Sequence, residues 1–256
     1  MTAARTFSAG HLFGVLALAS LLALLPRHAQ AWPWDGETIK GSGIAKTETR
    51  AVAGFHEVSL GIDANVELRQ GDTEAMTITG DDNIVPLVET VVEKGALKIR
   101  WLDNRNYSMR YRRLDIVVNL KSIDGIRLGG SGHIYASRLK AGNLTAALAG
   151  SGDIVLEGLE ADSLQGSIAG SGTMKAAGRA DSLQFTLAGS GDLVAPKLET
   201  RRATISVQGS ADAVVWATES LAVTVAGSGD VRYYGKPQVT KTVAGSGSVR
   251  RAKDAT

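Results

Sequence analysis

The tripeptide Gly-Ser-Gly recurs at 130–132, 150–152, 170–172, 189–191, 227–229 and 245–247, and a degenerate Gly209-Ser210-Ala211 fills the one gap. The copies begin 20, 20, 19, 20, 18 and 18 residues apart. A period this narrow makes the chain a stack of similar units. Alignment on the first glycine exposes two apolar columns. Two positions before it stand Leu148, Ile168, Leu187, Val207, Val225 and Val243. Four positions after it stand Ile134, Ile154, Met174, Leu193, Ala213, Val231 and Val249. Between the turns the chain alternates at period two, as in Leu183-Gln-Phe185-Thr-Leu187, the mark of a strand with one buried face.

These patterns predict an all-β chain: a right-handed parallel β-helix, or β-solenoid, of about 19 residues per coil. Helical solenoids need periods of roughly 33 residues or more and 3.6-residue patterning, and neither is present. An antiparallel β-sandwich is the alternative, but hairpins would not place the same motif on the same side of every coil. Each unit reads as a strand, a Gly-Ser-Gly turn, a second strand and a looser return. The stacked serines predict a ladder of hydroxyls, each donating to the next.

Residues 50–128 lack the repeat. They read as strands over 57–60, 65–69, 75–79, 96–101 and 114–120, separated by Gly71-Asp72, Gly80-Asp81-Asp82-Asn83 and Lys94-Gly95. Asp82 to Glu93 fits helix or strand, with Pro86 against a long helix. A solenoid needs capped ends, so 50–128 is expected to be irregular β structure that caps the N-terminal end of the coils over 129–251. A charged tail, 252–256, follows.

The N-terminus carries an address. Arg5 precedes an uncharged stretch from Leu12 to Leu25, and Ala29-Gln30-Ala31 offers a small-x-small cleavage pattern. Residues 1–31 thus read as a secretory signal peptide, with 32–49 as a linker containing an early imperfect turn at Gly41-Ser42-Gly43. The stretch is short against the roughly 20 residues a spanning helix requires, so no membrane span is expected in the mature chain. Without residues 1–31 the chain carries equal numbers of basic and acidic residues, which gives no nucleic-acid signature. The absence of cysteine removes disulfides, thiol nucleophiles and thiolate metal sites.

The ordered set Phe55-x-x-Val58-x-Leu60, Ala64-Asn65-Val66-x-Leu68-x-Gln70-Gly71, Gly80-Asp81-Asp82-Asn83-Ile84, Val88-Glu89-Thr90 and Leu97-Lys98-Ile99, followed by Gly-Ser-Gly-Asp coils, resembles the head GIN domain family of putative auto-transporter adhesins. The resemblance covers about 50–250. It implies an exported bacterial β-helical protein of uncharacterised function, and it brings no catalytic residues.

Two groups of residues are candidate sites. Trp101, Arg105, Tyr107, Arg110, Tyr111, Arg112 and Arg113 form the chain's one basic, aromatic stretch. Arginine forks and aromatic faces suit phosphate, sulfate or acidic sugars, although such a run also keeps an exposed edge soluble. Asp192, Asp212 and Asp230 follow the turn in three consecutive coils. Stacked carboxylates repel, and calcium would relieve that repulsion; but calcium takes six to eight oxygens, so turn closure by aspartate is the simpler role. No other cofactor is expected, and no His or Lys column accompanies the serines, so catalysis is not expected. The overall reading is an exported envelope protein, periplasmic or at the cell surface, acting as a non-catalytic module that binds or adheres to envelope or host polysaccharide or protein. The alternatives are a self-associating envelope scaffold and a polysaccharide lyase or hydrolase. Small outward residues such as Ala147, Ala149, Ala169 and Ala188 would let copies pack as a homo-oligomer.

Overall fold

The computed structural model describes residues 38–102 and 108–253. The expected signal peptide and the start of the linker lie outside the described residues. The described residues form one β-solenoid of about six turns. Every coil-to-coil pairing in the repeat region is parallel and in register on the Gly-Ser-Gly motif. Leu128, Leu148, Ile168, Leu187, Val207, Val225 and Val243 stack in one column, and Ile134, Ile154, Met174, Leu193, Ala213, Val231 and Val249 in the other. These are the two columns the alignment exposes, and all but Val243 are buried. Burial of each large aliphatic side chain contributes about 1.5–3 kcal/mol, so the columns are the main driving force of the stack. Packing is matched in detail: Gly166 leaves the space over which the Phe185 ring of the next coil lies.

The return segment is a third parallel strand rather than a loose connection. Leu139, Lys140 and Ala141 pair with Leu159, Glu160 and Ala161, then with Gly178, Arg179 and Ala180. Leucines at 139, 159 and 198 point into the core, while the outward column alternates in sign. Lys140 meets Glu160 at 3.0 Å and Arg179 meets Glu199 at 3.5 Å. The cross-strand charge pairing that completes the strand is a tertiary effect.

The Gly-Ser-Gly turn is explained by the distance between coils. The first glycine has positive φ throughout, as at Gly170 (φ 130°), where an added Cβ would lie 2.4 Å from the Gly150 carbonyl oxygen. The third glycine needs no such φ, but its Cβ would strike the coil beneath. The expected serine hydroxyl ladder does not form. The serines are exposed, and the turns are laddered through the backbone: Ser151 N–H donates to Gly130 O and Ser171 N–H to Gly150 O, both at 3.0 Å. The main chain already supplies the donor at each step, so the hydroxyls are free to face solvent.

The cap is built out of chain order. Strand Glu57–Leu60 lies between Ala96–Ile99 on one side and Gly125–Leu128 on the other. Strand Asn65–Gln70 likewise lies between Asp115–Leu120 and His133–Tyr135. The chain therefore lays down one coil, crosses back to add an end layer over 75–120, and returns to start the regular stack. Antiparallel strands close that layer: Val88–Glu93 with Ala96–Trp101 around the Lys94-Gly95 turn, and Ala75–Thr79 with Asp115–Asn119. The ambiguous segment resolves into a short 3-10 turn at Val85–Leu87 and a strand from Val88. Part of the expected linker is structured as well. Thr38–Lys40 pairs with Ser108–Arg110, and Ala45–Arg50 pairs antiparallel with Met76–Asp81, because the cap's outer strand has an edge to satisfy.

Candidate functional site

The basic, aromatic stretch sits on the cap, at the N-terminal end of the stack. Arg105 and Tyr107 lie outside the described residues. Trp101 ends its strand half-buried, and Tyr111 meets it edge-to-face with ring centroids 5.9 Å apart and planes at 68°. Both rings pack against the edge of the core. The Tyr111 hydroxyl donates to the Asp63 carbonyl, and burial followed by the nearby Asp63 carboxylate pushes its pKa up to about 12. The pair thus anchors the segment as well as showing ring surface. Around it, Arg110, Arg112 and Arg113 are exposed. Arg113 donates to Asp115 at 2.7 Å, whereas Arg110 and Arg112 have no ion-pair partner among the described residues.

Asp192, Asp212 and Asp230 form one column, and each carboxylate has a hydrogen-bonding task. Asp212 N–H donates to Asp192 Oδ1 at 3.3 Å, Asp230 N–H to Asp212 Oδ1 at 2.8 Å, and Ser248 N–H to Asp230 Oδ1 at 2.9 Å. In earlier coils the equivalent N–H takes a carbonyl, as Thr173 does with Gly152 O at 3.2 Å. The switch coincides with the degenerate copy, where buried Ala211 stands in place of the third glycine. The hydrogen bond from the Ser248 side chain, with its backbone, holds Asp230 below the usual carboxylate range. Among the described residues, no three His, Cys, Asp or Glu side chains are grouped to hold a metal ion. The two histidines of the coil and cap each pair with an aspartate, His56 with Asp124 at 2.8 Å and His133 with Asp153 at 3.2 Å.

At the opposite end of the stack the structure forms a cleft that motif reading missed. It has a volume of about 530 Å³ and is lined by Pro196, Lys197, Trp216, Tyr234, Gly235, Lys236 and Arg251. Coil length creates it. The copies at 209 and 227 are followed by 18-residue coils, while the coil before them has 20. Ala195 to Leu198 accordingly stand opposite Val215 alone, and the chain at Pro196-Lys197 bulges over the shorter coils. Trp216 and Tyr234 face outward under that ledge, paired in adjacent coils. Gly235 closes the far side with φ 91°, where an added Cβ would lie 2.0 Å from the Ala217 carbonyl oxygen, and exposed Lys236 follows it. A signal existed: Trp216 and Tyr234 stand seven residues after the first turn glycine, where earlier coils carry Ser137, Glu157 and Ala177. Only alignment of that outward column, beyond the apolar ones, reveals it.

A larger groove of about 780 Å³ follows the third face, but its lining includes Arg138, Lys140 and Arg179 together with Glu160, Asp162, Asp181 and Glu199. Its charges compensate one another. Among the described residues no helix is long and apolar enough to cross a membrane.

Comparison with known proteins agrees with this architecture. A 28% identical structure, named a putative lipid binding protein from Parabacteroides distasonis, superposes with a TM-score of 0.73 over 85% of this chain and 100% of its own. A putative adhesin from Bacteroides fragilis, 25% identical, superposes with a TM-score of 0.80 over 84% of this chain and 100% of its own. A putative adhesin from Parabacteroides merdae, 22% identical, shares the fold at a TM-score of 0.67, over 85% of this chain and 100% of its own. No curated protein matches the chain. The family described as putative auto-transporter adhesin, head GIN domain, matches residues 54–237, most of the chain; the protein belongs to that family.

Proposed function

We propose that the protein is an exported, non-catalytic binding module of the bacterial envelope that attaches to anionic polysaccharide through the cap. The observation that carries this reading is the surface at the N-terminal end, where exposed Arg110, Arg112 and Arg113 surround the Trp101–Tyr111 pair. Arginine forks bind carboxylate or sulfate in pairs, and the aromatic edges offer apolar contact to a sugar ring. The family's adhesin description and the Bacteroides fragilis relative's name support binding to surface molecules. The signal-like N-terminus supports export.

The test is retention on an immobilised acidic polysaccharide. The triple variant Arg110→Ala, Arg112→Ala, Arg113→Ala is expected to elute at distinctly lower salt than the parent, because exposed charge contacts are screened. Unchanged elution would remove the cap from the binding role. A second reading, contact with anionic lipid headgroups, is supported by the Parabacteroides distasonis relative's name. Vesicles containing anionic lipid, run beside the polysaccharide, separate the two.

A further inference from the structure

We propose a second binding site, the cleft between Lys197 and Arg251 at the C-terminal end of the solenoid, which takes one residue or a short run of an acidic polysaccharide. The proposal accepts the reading of the protein as a binding module but rests on residues that reading does not use.

Three observations point to this ligand class. First, the lining is cationic: Lys197, Lys236 and Arg251 surround the cleft, and no carboxylate is among its lining residues. Lys197 and Lys236 have no acidic partner among the described residues, whereas the outward column of the third face is paired across strands. Two lysines left unpaired beside a concavity favour an anionic occupant. Second, the floor is aromatic. Trp216 and Tyr234 are half-buried and face outward, at positions that hold small or charged residues in earlier coils. An indole or phenol face beside fixed cations suits a flat, partly apolar ring that bears negative charge, which describes a uronic acid or sulfated pyranose. Third, the site interrupts the repeat. The outward column changes from Ser137, Glu157 and Ala177 to Trp216 and Tyr234 in the two 18-residue coils, and Lys197 stands on the bulge just before them. The stacked backbone needs none of these side chains, so their arrangement is not explained by folding.

The site is preorganised. Its walls are strands held by parallel pairing, and Pro196 and Pro237 restrict the backbone on two sides. It lies some six to seven coil layers from the arginine surface of the cap, roughly 30 Å away at about 4.8 Å per layer. One molecule would then hold two segments of a polymer, or two polymers, and gain avidity from the pair.

The experiment is titration of the purified protein with oligogalacturonate and with dextran sulfate, following tryptophan fluorescence, with neutral dextran and anionic phospholipid vesicles as comparison. The acidic saccharides are expected to quench fluorescence saturably, and Trp216→Phe, made in the Arg110, Arg112 and Arg113 triple variant so that Trp101 of the cap does not respond, is expected to abolish that change. The double variant Lys197→Ala, Lys236→Ala, on exposed side chains, is expected to keep the parent far-ultraviolet spectrum and to bind about tenfold or more weakly. The Arg110, Arg112 and Arg113 triple variant is expected to keep this fluorescence change. Equal affinity of the double-lysine variant, no saturable response to either acidic saccharide, or a Trp216-dependent response to vesicles alone would each overturn the proposal. If only the cap variant affects polysaccharide retention, the cleft fails while the binding-module reading stands.

Discussion

Single residues set the tolerance of this fold, and the turn glycines are the strictest. Gly170 combines positive φ with a carbonyl 2.4 Å from where a Cβ would stand. Gly170→Ala is expected to cost roughly 2 kcal/mol or more, from backbone strain together with separation of two coils. Chemical denaturation monitored by circular dichroism measures it; a loss under about 0.5 kcal/mol would show that the coils can move apart freely. The neighbouring serine is a contrast. Its side chain is exposed and its hydroxyl carries no ladder, so its recurrence in the sequence overstates its structural role. Tripeptide periodicity makes all three residues look equally constrained, whereas the physical constraint falls on the two that approach the coil below.

At the scale of the turn and its ladder, the aspartate column carries two chemistries that the sequence leaves open and that substitution separates. Asp212 Oδ1 accepts the Asp230 N–H at 2.8 Å. Asparagine keeps that oxygen and loses the charge. Asp212→Asn is therefore expected to hold the melting temperature near the parent value, and Asp212→Ala to lower it, with no change on exchanging calcium for EDTA. A calcium-dependent shift that Asp212→Asn abolishes would instead make the column a metal site. The pH dependence follows from Asp230, whose carboxyl is held low by Ser248. A depressed folded-state value contributes stability above the unfolded carboxylate pKa, and this contribution is lost as pH falls through the folded value. The cap shows the same limit on sequence reading. Its individual strands, such as Glu57–Leu60 and Ala96–Trp101, follow from alternation and turn residues. Their order in the stack does not, since pairing of 57–60 between 96–99 and 125–128 depends on contacts far apart in the chain.

Over the whole molecule, the two ends differ. The N-terminal end is closed by antiparallel strands, while the C-terminal coil pairs on one side only among the described residues. Every residue of Gln238–Gly245 is exposed, and Val239 and Val243 stand 37% and 40% exposed at the end of columns that are buried elsewhere. Hydrogen exchange is expected to be fastest in this strand and slowest in the central coils over 153–189, with loss of protection spreading from the C-terminal end as denaturant rises. Uniform protection along the stack would show that the last coil is covered in solution, as a homo-oligomer would cover it, and light scattering reads that mass directly. The repeat by itself determined the architecture: one period, two apolar columns and glycine at the corners allow few solutions other than a parallel stack, because each coil must bury the same face against the next. The third strand, the out-of-order cap and the cationic aromatic cleft were decided only in the tertiary structure. Each depends on which residues of different coils come to lie side by side, and small changes in coil length alter that register without altering the local pattern.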